Sequence, residues 1–159
     1  MKNKYGITDQ ELGLIVGAYM AGPYSSDEII WREAAAHGFR HILETILDCK
    51  LTLDITRKFA HDLRKGGALP AKGQTTHIPM PNLTGKQKKA IQQAYLDYDV
   101  PSDKIAIYER HTIAFGNLLD GIMEVEILQD DTRRWLMNWR RSGMLPKLRK
   151  TVGELFKGE

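Results

Sequence analysis

The sequence predicts an all-α fold, a tandem internal duplication of a 64-residue four-helix unit in two pseudo-symmetric copies, followed by a C-terminal basic helical tail. Three observations predict it. Slid by 76 positions, residues 7–70 fall on 83–146 without a gap and with 18 identities. Apolar residues recur at helical spacing in both copies, and little in either suggests strands. Caps before, and glycine or proline after, punctuate both copies at matching places. A position kept in both copies is expected to serve the unit itself. A position found in one copy is decoration or the site of a specialised task.

The first helix of each copy opens on a capping box, Thr8-x-x-Glu11 and Thr84-x-x-Gln87. Leu12, Ile15, Val16 and Tyr19 follow in the first copy, Ile91, Ala94 and Tyr95 in the second. Gly22-Pro23 and Asp99-Val100-Pro101 end these helices, since proline cannot continue one. Ser26 and Ser102 are the expected N-caps of the second helices, with Asp27 and Asp103 at the first helical position, where the dipole favours an anion. The third helix carries the clearest core stripe. Phe39, Ile42, Leu43, Ile46 and Leu47 match Phe115, Leu118, Leu119, Ile122 and Met123 at spacings i, i+3, i+4, i+7 and i+8. The fourth starts near Asp54 and Asp130, both expected caps, and sets Phe59 and Leu63 against Trp135 and Trp139. Gly67 and Gly143 break it. Residues 71–82, with two prolines and a glycine, read as an extended linker, and residues 147–159 as a basic amphipathic tail.

No apolar run approaches the roughly 20 residues that span a bilayer, so no membrane partner is expected. Residues 1–6 lack the apolar stretch of a signal peptide. The one cysteine, Cys49, cannot form an internal bridge and reads as a small core hydrophobe in a reducing compartment, with the cytoplasm as the expected location. The net charge of +3 is unevenly placed: the first copy carries −2, the second zero, and the ends with the linker +5. From Arg133 to Lys150 there are seven basic residues and no acidic one. Segregated positive charge of this kind suits an anionic partner.

The candidate nucleic-acid-binding residues are therefore Arg57, Lys58, Arg64 and Lys65 in the first copy, Arg133, Arg134, Arg140 and Arg141 in the second, and Lys147, Arg149 and Lys150 beyond it. Arg57 and Arg64 lie seven residues apart on one helix face, as do Arg133 and Arg140, with Phe59, Leu63, Trp135 and Trp139 holding the opposite side to the core. Two such helices would imitate a dimer on a pseudo-palindromic site. A purely structural role competes: Arg57 paired with Glu33, and Arg133 with Glu109, would tie the second and fourth helices together.

The stretch Leu83-Thr-Gly-Lys-Gln-Lys-Lys-Ala-Ile loosely resembles the fourth region of bacterial sigma factors. A helix-turn-helix over 26–47 is nevertheless disfavoured, because the turn glycine Gly38 becomes Ala114 in the second copy and the would-be recognition helix is largely apolar. His37, His41 and Glu44 have metal-ligand spacing, yet their counterparts are Ile113, Asn117 and Asp120, so no metal or other cofactor is expected. No nucleophile–base arrangement or phosphate loop stands out, and the chain is read as not an enzyme. The resulting expectation is a non-catalytic nucleic-acid binder, DNA rather than RNA, of the regulator or accessory kind that a phage or mobile element carries. The alternative is a helical adaptor or inhibitor bound to an acidic protein surface, or a homodimer. An exposed apolar stripe with Leu12 and Val16 on the first helix would favour it.

Overall fold

A computed structural model describes residues 5–72 and 80–148. The described residues hold eight α-helices and no strand. They are α1 (Asp9–Ala21), α2 (Ser26–Trp31), α3 (Glu33–Leu47), α4 (Leu53–Lys65), α5 (Gly85–Tyr98), α6 (Ser102–Ile107), α7 (Glu109–Met123) and α8 (Gln129–Arg141). The chain divides into two compact units, Met1–Pro79 and Met80–Glu159. Each helix of unit 2 starts 76 residues after its counterpart in unit 1, and only α5 runs one residue longer. In unit 1, α3 packs on α1, α2 and α4, and α2 also packs on α4; unit 2 repeats the same four pairings. No described helix is long and apolar enough to cross a membrane.

Both predicted capping boxes form. Thr8 Oγ1 accepts from the Glu11 N–H at 3.1 Å while the Glu11 carboxylate accepts from the Thr8 N–H at 2.9 Å. Thr84 and Gln87 do the same at 3.1 and 3.0 Å. Ser26 and Ser102, however, are not caps. The caps are Ser25 and Pro101, and the two serines are buried inside the first turn. Their amides donate instead to a core tyrosine, Ser26 to Tyr19 Oη and Ser102 to Tyr95 Oη, each at 3.0 Å. The phenol satisfies the orphan first-turn N–H of the serine itself, while in α2 the Ser25 hydroxyl accepts from the Glu28 N–H at 3.2 Å. Asp54 and Asp130 also lie inside their helices. Thr52 caps α4 by accepting from the Ile55 N–H at 3.2 Å, whereas Leu128 at the start of α8 has no oxygen to offer.

Each unit turns from its second to its third helix on a single extended residue, Arg32 (φ −99°, ψ 116°) or Tyr108 (φ −94°, ψ 120°). The third helices end on left-handed carboxylates, Asp48 at φ 51° and Glu124 at φ 58°. The loop that follows is fixed by a second acid, since Glu44 accepts from the Leu51 N–H and Asp120 from the Ile127 N–H, both at 2.8 Å. Gly67 and Gly143, at φ 82° and 79°, close the fourth helices. Beyond them the Ala68 N–H bonds Leu63 O at 2.8 Å and the Met144 N–H bonds Trp139 O at 3.0 Å, completing Schellman ends.

Each unit encloses its own apolar cluster. Ile15, Tyr19, Phe39, Leu43, Phe59 and Leu63 form one; Ile91, Tyr95, Phe115, Leu119, Leu136 and Trp139 form the other. The aromatic pair at the centre is shared, Tyr19 edge-on to Phe39 at 6.5 Å and Tyr95 to Phe115 at 6.3 Å. Two expected core residues are outside. Leu118 is exposed, and so is Cys49, which sits in the loop after the left-handed Asp48.

Candidate nucleic-acid interface

One of the two arginine positions shared by both units is not on the surface. Arg57 and Arg133 are the two largest fully buried side chains among the described residues, at 2% and 1% exposure. The reason lies in the short helix beneath. A six-residue helix has nearly as many unpaired terminal carbonyls as paired ones, and its C-terminal end carries partial negative charge. Arg133 reaches from α8 to that end of α6, donating from Nε to Ala106 O at 3.1 Å. Its Nη2 donates to Gln129 Oε1 at 3.3 Å, and its Nη1 lies 3.6 Å from Asp130. Arg57 Nη1 stands at the same 3.6 Å from Asp54. The expected outward face carrying Arg57 and Arg133 is therefore corrected: these guanidiniums face inward. Arg134, at 7% exposure and 3.5 Å from Asp131, is likewise buried.

The remaining predicted residues divide. Arg64 pairs with Asp27, and Lys58 donates to Asp62 at 2.9 Å. Lys65, Arg140, Arg141 and Lys147 are exposed. Arg149 and Lys150 lie outside the described residues, as do 73–79 of the linker and the rest of the tail. Trp139 is core and Trp135 packs against the same cluster, 5.9 Å from it ring to ring.

Three exposed lysines escaped the sequence reading: Lys86, Lys88 and Lys89, in the first two turns of α5. The corresponding residues of α1 are Gln10, Leu12 and Gly13, and α1 begins with Asp9 and Glu11 where α5 has no acid in its first turn. Cations at a helix N-terminus oppose the macrodipole by roughly 0.3–1 kcal/mol each at low salt. A sequence that tolerates that cost in one copy only was the signal, and the 76-residue offset exposes it. Gln92 lies one turn beyond Lys88 on the same face and donates to Met144 O at 2.8 Å. That bond ties α5, one turn beyond Lys88, to the segment that follows α8.

Next to this surface lies an open cleft of about 690 Å³, lined among others by Tyr95, Ser102, Asp103, Arg140, Lys147 and Leu148. In unit 1 the corresponding groups are engaged. Arg64 is paired with Asp27, and Lys72 stands where unit 2 has Leu148. The Lys72 ammonium donates to Gly22 O at 2.8 Å, Tyr24 O at 3.1 Å and Tyr19 O, and sits 4.1 Å above the centre of the Tyr19 ring. Burial holds its pKa below the usual lysine value, against the opposing pull of Glu28.

His37 pairs with Glu33 at 3.7 Å, and Glu44 is occupied with the Leu51 amide. Among the described residues no three His, Cys, Asp or Glu side chains gather as a metal set. His111 accepts or donates at 2.7 Å to Tyr98 Oη, and burial followed by Arg110 and Lys104 pushes its pKa below the ordinary histidine value. Compared with protein-family models, with curated proteins and with solved structures, the chain matches none.

Proposed function

We propose that the protein is a non-catalytic nucleic-acid-binding factor whose phosphate contacts belong to unit 2: Lys86, Lys88 and Lys89 on α5, with Arg140, Arg141 and Lys147 at the end of α8. The observation that carries this reading is the exposed lysine cluster at the start of α5, placed against its own helix dipole and bridged by Gln92 to Met144. We further propose that residues 7–70 and 83–146 arose by duplication, supported by the 18 identities and by helices that start at one constant offset. On this reading the two copies share a frame but not a surface. The protein does not act as a covalent mimic of a symmetric dimer, because Arg57 and Arg133 are buried and Arg64, the counterpart of Arg140, is paired with Asp27.

The test is binding to mixed-sequence duplex DNA and to single-stranded RNA across a salt series. The parent chain is expected to bind with affinity that falls steeply with salt. Lys88→Ala with Lys89→Ala should lower the magnitude of the log–log slope by about 2 on duplex DNA, since each phosphate contact contributes roughly 0.9. Lys50→Ala with Lys65→Ala, in unit 1, should leave it unchanged. No binding at low salt would refute the reading.

A second reading has one observation of its own. Leu12 and Val16 pack against the core, but Leu14 and Met20 of α1 are 56% and 51% exposed. A helical adaptor would use these two exposed side chains, and Leu14→Ser with Met20→Ser would then abolish a protein contact while leaving nucleic-acid binding intact.

A further inference from the structure

The cleft of unit 2 differs from its counterpart in a chemically directed way. In unit 1 the cation at the end of the fourth helix, Arg64, is matched by Asp27, and a second cation, Lys72, is drawn onto three carbonyls and the Tyr19 ring. In unit 2 the equivalent Arg140 makes no ion pair among the described residues and stands exposed on the cleft wall. Leucine replaces the second cation, and Lys147 joins the lining from the neighbouring position. The result is a concavity of about 690 Å³, inside the range of roughly 300–1,000 Å³ common to small-molecule sites.

Its lining has three kinds of group. Arg140 offers a planar guanidinium, suited to two phosphate oxygens at once, and Lys147 adds a point charge. Pro101, Leu145 and Leu148 supply an apolar wall. Asp103 contributes a carboxylate that already accepts from the Lys104 N–H at 3.0 Å and that repels a bare anion. A ligand suited to this lining carries its anion at one end, away from Asp103, and a flat apolar body beside it. We infer that the cleft holds one nucleotide, its phosphate on Arg140 and Lys147 and its nucleoside against the apolar wall. This rests on the reading of unit 2 as the nucleic-acid face, since Arg140 and Lys147 belong to both.

The experiment titrates the full chain with adenosine monophosphate and, separately, with inorganic phosphate, following backbone amide shifts of Ser102, Asp103 and Lys147. Saturable binding of the nucleotide at least about tenfold tighter than phosphate, weakened about tenfold or more by Arg140→Ala and less by Arg140→Lys, is the expected result. Equal affinity for the two ligands reduces the cleft to a plain anion site and overturns the inference. No saturation, or an Arg140→Ala variant that binds as the parent does, overturns it equally. The same preparation is tested on duplex DNA and single-stranded RNA. Strand binding without nucleotide binding leaves the proposed function standing and removes the cleft from it. Nucleotide binding without strand binding does the reverse.

Discussion

Units 1 and 2 share a frame and differ in surface. At the head of the first helix unit 1 has Asp9 and Glu11, unit 2 has Lys86, Lys88 and Lys89. Unit 1 pairs Arg64 with Asp27 and draws Lys72 onto its own backbone; unit 2 leaves Arg140 at an open cleft and packs Leu148 against its core. Unit 1 caps its fourth helix with Thr52, while unit 2 places Leu128 there, 68% exposed. Tyr19, Tyr95 and Arg133, at positions where the two units agree, hold helices together. A shared charge does not by itself mark the frame, because Arg140 matches Arg64 and yet stands exposed, whereas Lys86, Lys88 and Lys89 have no basic counterpart in unit 1.

The largest effect that can break this comparison comes from the shared arginines. Arg57→Ala and Arg133→Ala should each cost about 2–5 kcal/mol, because each empties the space of a long, fully buried side chain, and Arg133→Ala also strands the Ala106 carbonyl. Urea unfolding monitored by circular dichroism measures it. A variant as stable as the parent but defective in nucleic-acid binding would return these arginines to the surface role. A smaller effect of opposite sign sharpens the contrast at the fourth helix. Leu128→Thr should stabilise unit 2 by about 1 kcal/mol, restoring the cap that Thr52 supplies in unit 1. An unchanged midpoint would mean that the loop before α8 cannot present a hydroxyl to the first-turn amides. Smaller still, Glu124→Gly should gain up to about 1 kcal/mol by relieving a left-handed backbone that a side chain resists, with Asp48→Gly as the matching test in unit 1.

The smallest predicted effect separates the units by pH. Unit 2 has His111 at the position of Ala35. Its folded pKa is lowered, so below that pKa both states carry the proton and the full penalty of burying it applies. As pH rises through the folded pKa towards the ordinary 6.5, the unfolded chain holds more protons and stability increases; above 6.5 it levels. His111→Ala should flatten this part of the profile relative to the parent. A slope that survives in the variant assigns the dependence to other groups.

The helix count and order were legible in the sequence because capping boxes, prolines and glycines act locally: Thr8, Thr84, Gly67 and Gly143 do what their neighbours imply. What misled was the assumption that a charged side chain on an amphipathic helix points away from the apolar stripe. Arg57 and Arg133 have polar neighbours in sequence, but both are buried, and the carbonyl that Arg133 serves belongs to a different helix, which no single-helix pattern reveals. The bond from the Ser26 amide to Tyr19 Oη has the same origin, a partner seven residues away across a turn. The surface of unit 2 was more accessible than it first looked. Lys86, Lys88 and Lys89 are visible once each is set beside its counterpart, whereas the cleft depends on where the segment after Gly143 folds back, which spacing alone does not specify.

The one-residue corners at Arg32 and Tyr108 have a consequence for how such a chain can change over time. An α-helix advances about 100° per residue, so adding or deleting a residue in the second or third helix rotates everything beyond it by that angle. Phe39 and Leu43, or Phe115 and Leu119, would then swing off the core. A corner of one residue has no slack to absorb the error, in contrast to the connection after α1, whose unit 2 counterpart has traded one residue from loop to helix. The corner acts as a phase lock. It accepts arginine in unit 1 and tyrosine in unit 2, while the number of residues around it is the same in both, and the offset of 76 residues holds from the first helix to the last.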